Sequence, residues 1–313
     1  MPRSAPRMTR LTVLSLILIA LTLLPTAPAA LADSLQPSGL VAYLDRSNNL
    51  WVSQDTGANA RQITTSGGFD TISWSADGTR IATVGPYNGG VGVYITSPDP
   101  AFGLRGLTTG DDPLWAPDST KVALIDNGSI KVFDREGTYI REAALGAGVI
   151  SWSGNDHLIG YTQVVSNPYG TTCPIQQLGT FDAVSGETKA VAQSIGKFAW
   201  AGDGHLLVYV SATDGTIKSY DTNSGATRQL SARHANPCAG PFQTTVDGNR
   251  LFFLDYGTGG HDLVALDVNS AKEQVIEDVP ISYPASAIPE SYFSVDSNGR
   301  YVYVVKSFPT TVT

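Results

Sequence analysis

One phrase recurs along this chain, and its spacing constrains the fold more than any other feature. "ISWSADGTRIATVG" at 72–85 reads as a strand, a tight turn and a second strand. Related phrases begin at Pro113 ("PLWAPDSTKVALID"), Val149 ("VISWSGNDHLIGYT") and Lys197 ("KFAWAGDGHLLVYV"). Two worn copies, from Gln243 and Phe293, place Thr244 and Ser294 where the others have Trp. Trp74, Trp115, Trp152 and Trp200 lie 41, 37 and 48 residues apart, and Thr244 and Ser294 follow after 44 and 50 more. A unit in the forties with about four strands per copy predicts an all-β propeller of four-stranded blades.

Each unit can be read strand by strand. The first strand is short and ends at the Trp, which fills the wedge between neighbouring blades. A turn such as "ADG" (76–78), "GDG" (202–204) or "VDG" (246–248) follows, where Gly supplies the positive φ of a tight hairpin. The second strand is nearly all apolar, as in "IATV" (81–84), "VALI" (122–125) and "LFFL" (251–254), which implies burial on both faces. A second phrase closes the unit: "FDREGTYIREA" (133–143), "FDAVSGETKAV" (181–191), "YDTNSGATRQL" (220–230) and "LDVNSAKEQVI" (266–276). Here an apolar residue and an Asp precede a turn and then a polar outer strand.

Taken together, "WSADG" and "WAPDS", the apolar strand, the "FD…SG" turn and an outer strand ending "QIT" or "GLT" resemble the repeats of TolB-type propellers over residues 36–306. That resemblance implies the fold. It leaves function open, because such propellers serve as periplasmic scaffolds, as peptidase domains and in polysaccharide lyases. TolB proteins carry an N-terminal α/β domain, for which the few residues between Asp33 and the strand "LVAYL" (40–44) leave no room. Six blades are expected, the C-terminal hairpin meeting the N-terminal strands to close the ring. Seven, the last incomplete, is the alternative.

Residues 1–32 read as a secretory signal. Arg3, Arg7 and Arg10 precede the apolar run 11–24, Pro25 breaks it, and Ala30-Leu31-Ala32 offers small residues for cleavage. The run is shorter than the roughly 20 residues of a membrane span, so no span is expected after signal cleavage. The propeller domain would occupy 33–313 as a secreted or periplasmic monomer. Without the three Arg, 17 basic and 28 acidic residues remain, a net charge of −11. The basic residues are scattered singly, which excludes nucleic acid as a partner. Cys173 and Cys238, the chain's 2 cysteines, are expected to pair in an oxidising compartment.

Candidate functional residues follow from the loops that break the pattern. In a propeller the loops joining second to third strands emerge on the same face as those joining one blade to the next. That face carries 85–90, 163–177, 231–241, 255–261 and 278–291, rich in Gly, Pro and aromatics. Tyr87, Tyr169, His234, Tyr256, His261, Tyr283 and Tyr292 are its natural contact residues. No GxSxG elbow, HExxH or phosphate loop is present. The expectation is a non-catalytic propeller that binds a protein or an envelope polymer, without a cofactor. A polysaccharide-active hydrolase or lyase, or a carbohydrate-binding module, is the alternative. Four residues before the Trp position stand Asp70, Asp111 and Glu290, which would form an acidic rim at the channel mouth, either for a basic partner or for Ca²⁺.

Overall fold

The computed structural model describes residues 39–155, 157–166, 175–237, 242–257, 261–279, 293–295 and 302–304. The signal segment, Tyr169, Cys173, Cys238, Tyr283, Glu290 and Tyr292 lie outside them. The described residues contain strands and turns but no helix, and no helix long and apolar enough to cross a membrane.

Sheet I holds β1 (Leu40–Leu44), β2 (Leu50–Gln54) and β3 (Arg61–Gln62). Sheet II holds β4 (Asp70–Trp74), β5 (Ile81–Tyr87), β6 (Gly90–Thr96) and β7 (Arg105–Thr109). Sheet III holds β8 (Asp111–Trp115), β9 (Lys121–Asp126), β10 (Ser129–Asp134) and β11 (Tyr139–Ala144). Next come β12 (Ala147–Trp152), β13 (Leu158–Ser166), β14 (Ile175–Asp182), β15 (Thr188–Ala201), β16 (Leu206–Ser211), β17 (Ile217–Asp221) and β18 (Thr227–Ser231), joined in one seven-stranded sheet. β19 (Phe242–Thr244), β20 (Arg250–Asp255), β21 (His261–Asp267) and β22 (Glu273–Val279) form sheet VI, and β23 (Phe293–Val295) pairs with β24 (Val302–Val304). Within each sheet, neighbouring strands are consecutive and antiparallel.

The seven-stranded sheet departs from the expected run of separate units. β15 is 14 residues long. Its first half pairs with β14 and its second half with β16, so it ends one unit (IV) and begins the next (V) without a break. At the earlier junctions Gly110 or Gly146, each at positive φ, interrupts the chain; in β15 the bend is taken by Ser194 at φ 55° and by register shifts on either side. A second departure is at 85–90, expected to be a loop. β5 and β6 run on to a two-residue turn, Asn88 at φ 47° and Gly89 at φ 83°, the left-handed pair that a tight hairpin requires.

Five apolar clusters join successive units face to face. Leu50 and Val52 of sheet I meet Ile81 of sheet II, and Val84 and Ile95 meet Trp115 and Leu124 of sheet III. Ile130 and Val132 meet Trp152 and Phe181; Leu178 meets Trp200 and Leu207; Val208 and Ile217 meet Phe253 and Val264 of sheet VI. The repeated Trp does more than fill space. Trp115 Nε1 donates to Ser73 O at 3.1 Å, Trp152 Nε1 to Leu114 O at 2.9 Å, and Trp200 Nε1 to Ser151 O at 2.9 Å. Each indole therefore bonds the carbonyl just before the Trp position of the preceding unit. A small residue makes room beneath it. Trp115 shares its cluster with Ala82, Trp152 shares its own with Ala123, and a Cβ on Gly160 would lie 3.2 Å from Trp200 Nε1.

Candidate functional site

The long-loop side is built where second strands end and first strands begin. Asp70 and Asp111 are the first residues of β4 and β8, both exposed, and the register slips just after each. Asp112, beside Asp111, sits at φ 49°. Partial desolvation of its carboxyl, with the charges of Asp112 and Asp126, pushes Asp111 above its ordinary value although the residue as a whole is exposed. Asp126, at the end of β9, accepts from Lys131 Nζ at 2.6 Å, Thr109 Oγ1 at 2.9 Å and Asn127 Nδ2 at 2.9 Å. The Lys131 hydrogen bond outweighs burial and holds the Asp126 carboxyl below the usual range. Glu290, the third member of the expected rim, lies outside the described residues. Among those residues no three His, Cys, Asp or Glu are grouped to hold a metal ion.

Asp255 occupies the same place at the end of β20. Arg233 Nη1 bonds Asp255 Oδ2 at 2.6 Å and Asp262 Oδ2 at 3.1 Å, and its Nε bonds Glu273 Oε2 at 2.7 Å. Hydrogen bonds to Glu273 and Asp255 raise the guanidinium above its ordinary pKa. One cation thus fastens the segment after β18 to three strands of sheet VI, and two negative charges are left over. His234 continues the tie: its N–H donates to Asp255 Oδ1 at 3.0 Å and its Nδ1 lies 2.7 Å from Asp214 O.

The described tyrosines of this face are packed. Tyr87 folds over its own sheet, where a Cβ on Gly92 or Gly106 would come within 2.7 Å of its side chain, and its ring meets Tyr94 edge-on at 5.7 Å. Burial pushes the Tyr256 hydroxyl up to about 12. The backbone of His261 begins β21.

The opposite side consists of tight turns, and its order rests on two devices. The recurring Asp of the "FD" phrase ties its own turn: Asp182 Oδ1 accepts from Val184 N at 2.7 Å and Ser185 N at 2.8 Å, and Asp221 Oδ1 from Asn223 N at 2.8 Å and Ser224 N at 3.0 Å. The second device is a belt of cations that sequence reasoning missed. Arg61 Nη2 donates to Pro98 O at 2.8 Å, Arg105 Nη1 to Glu136 O at 2.7 Å, Arg141 Nη2 to Val184 O at 2.7 Å, and Arg228 Nη2 to Val268 O at 2.6 Å. In each case an outer strand reaches the segment joining third and fourth strands of the next unit. A basic residue at one position of every outer strand from unit I to unit V was the signal available.

Two cavities open on this side. One, of about 350 Å³, is walled by the ends of first strands from four units, including Trp152, Phe198, Trp200 and Thr244. It lies where the Trp ladder stops. The other, of about 240 Å³, is polar and lies between units IV and V, with Asp182, Glu187, Lys189, Thr222 and Asn223 in its wall.

No family model and no curated protein matches the chain. Solved structures do. TolB from Acinetobacter baumannii aligns over 84% of this chain and 68% of its own at 15% identity and a TM-score of 0.40. Oligogalacturonate lyase from Vibrio parahaemolyticus aligns over 88% of this chain and 79% of its own at 11% identity, with a TM-score of 0.58. Dipeptidyl peptidase 4 from Porphyromonas gingivalis gives 0.57 at 12% identity over 79% of this chain. The fold is a β-propeller. This propeller spans 46% of the length of the peptidase. At such identities the likeness is one of fold, and the chemistry of the propeller must come from its own residues.

Proposed function

We propose that the chain is a secreted or periplasmic, non-catalytic β-propeller that binds a protein, or a polymer of the cell envelope, through its long-loop face. The observation that carries this reading is the fixed acidic surface there, where Asp111 feels the charges of Asp112 and of Asp126, itself paired with Lys131, and where Asp255, Asp262 and Glu273 gather around Arg233. Such a surface suits a basic partner. The described histidine rings also favour binding over chemistry: His157 Nδ1 meets Asn155 O, His205 Nδ1 the turn residue Asp203, and His234 Nδ1 Asp214 O. Retention of a basic envelope protein on the immobilised propeller should weaken with salt. It should also weaken in the Asp111→Asn/Asp112→Asn double variant, in which Asn tolerates the left-handed backbone at 112. Retention equal to wild type in that variant would remove the acidic rim from the reading.

Six blades suit this architecture. Six four-stranded units need one strand more than units I to VI supply, which one strand of the β23–β24 hairpin would provide with the other left over; seven would leave sheet I with three strands and the last blade with two. The basic start and the apolar run 11–24 support export, and export supports a Cys173–Cys238 disulfide; the product is read as a monomer. No cofactor is required; Ca²⁺ at Asp70, Asp111 and Glu290 would show as a rise in Tm at millimolar Ca²⁺ that Asp70→Asn removes. The alternative of a polysaccharide-active enzyme or carbohydrate-binding module draws on the fold shared with oligogalacturonate lyases, one of them solved in complex with manganese. Release of unsaturated products from oligogalacturonate, above a no-protein blank, would decide for it.

A further inference from the structure

The cation belt changes character at one junction, between units IV and V. Where Arg141 and Arg228 stand in their outer strands, unit IV has Lys189. Arg141 forks onto the carbonyls of Val184 and Ser185, and Arg228 onto those of Val268 and Asn269. Arg141 takes the second and third carbonyls after the turn Asp182 and Arg228 the first and second after Asp267, so a guanidinium from unit IV would reach, after Asp221, the carbonyl of Asn223 with that of Thr222 or Ser224; Thr222 and Asn223 are the two that border the space there. Lysine has no fork to present to a pair of carbonyls. Its ammonium lies instead 5.7 Å from the centre of the Tyr220 ring. Beside it lies the polar cavity of about 240 Å³, walled by Thr222 and Asn223 on one side and by Asp182, Glu187 and Thr180 on the other.

We propose that this cavity is a binding site for a guanidinium group supplied from outside the chain, taken by the Thr222 and Asn223 carbonyls and by the carboxylates of Asp182 and Glu187. The carbonyl pair repeats a geometry that the propeller fills with its own arginine at the junctions on either side. Asp182 is the turn Asp that units III, V and VI also have, whereas Glu187 stands where units III and V have Tyr139 and Ala226, and so adds a charge-assisted acceptor peculiar to this junction. Lys189 at the edge sets a threshold: it repels an incoming cation, yet it is too short-forked to replace one. The site lies on the short-turn side, away from the acidic long-loop face, so its failure would leave the proposed function untouched.

The test titrates the full secreted chain with N-acetyl-L-arginine amide at low salt, followed by calorimetry or by amide chemical shifts of residues 182–189 and 221–224. Saturable binding is expected, with N-acetyl-L-lysine amide weaker by about tenfold. Lys189→Ala should tighten arginine binding several-fold by removing a like charge. Lys189→Arg should abolish it by closing the fork from within, at a Tm equal to or above wild type, which shows that the variant is folded. Glu187→Gln should weaken it by about tenfold. Free L-arginine separates the two sources of the group: tighter binding than the capped form assigns a small metabolite, weaker binding a side chain of a protein partner. Equal affinity for the arginine and lysine probes, or a folded Lys189→Arg variant that binds as well as wild type, would overturn the proposal.

Discussion

The Trp ladder predicts a rescue between two substitutions that are each harmful alone. A small residue, eight places after the Trp position of the preceding unit, enters the packing of three indoles: Ala82 shares the cluster of Trp115, Ala123 that of Trp152, and Gly160 lies against Trp200. By the same offset in the repeat Val208, fully buried at 0% exposure, lies beneath Thr244. The wedge is thus filled by a large residue over a small one in three units and by Thr over Val in the next. Val208→Ala alone removes buried carbons and should cost about 2 kcal/mol. Thr244→Trp alone drives an indole against Val208 and should cost about 1–3 kcal/mol through overpacking. If the two were independent the double variant would lose about 3–5 kcal/mol. If the ladder reasoning holds, the indole takes the vacated space, borders the 350 Å³ cavity and donates to Ala199 O, the carbonyl equivalent to Leu114 and Ser151. The double variant should then stand within about 1 kcal/mol of wild type, a coupling of at least about 2 kcal/mol. Urea unfolding with matched m-values measures the cycle. The new indole should also emit with a blue-shifted, quencher-resistant spectrum. Additivity within about 0.5 kcal/mol would refute the reasoning.

Three further outcomes are expected. Arg233→Ala leaves Asp255, Asp262 and Glu273 facing one another and should destabilise by about 2–3 kcal/mol, below the range for a fully buried pair because the group is partly solvated. Arg233→Lys should recover only part of that loss in the same urea assay. Asp77 is held at about 2, burial opposing the charge and hydrogen bonds from Ser75 and Thr79, with the Arg135 charge, more than offsetting it. Its contribution is therefore complete above the ordinary carboxylate pKa and lost as pH falls from about 4 to 2; Tm against pH should be flatter over that interval in Asp77→Asn, and an unchanged slope would count against the assignment. Finally, thiol labelling of unreduced, denatured protein should find no free Cys, and two labelled thiols would exclude the Cys173–Cys238 bridge.

How far the fold could be read from the sequence differs by element. The strands of units II to VI were legible because their signals are local: an apolar run, an Asp-Gly turn and an Asp that ties its own turn all act within a few residues. The loop reading at 85–90 failed for a local reason too, since Asn88-Gly89 is a tighter turn than its glycine-rich surroundings suggest. The junction through β15 failed because nothing in a strand's own pattern says where one sheet hands over to the next.

What the sequence by itself determined is the unit: its length, its four strands, and a large residue at the end of the first. Those follow from hydrogen bonding and side-chain alternation between near neighbours. Only the tertiary structure decided what the units do to each other. The indole of Trp152 meets a carbonyl 38 residues away and the guanidinium of Arg228 one 40 residues away, contacts set by the angle at which rigid sheets stack. A lysine in place of an arginine is an ordinary surface substitution in the sequence. It borders a polar cavity once the next sheet is laid beside it, because two units must be brought together before the space between them exists.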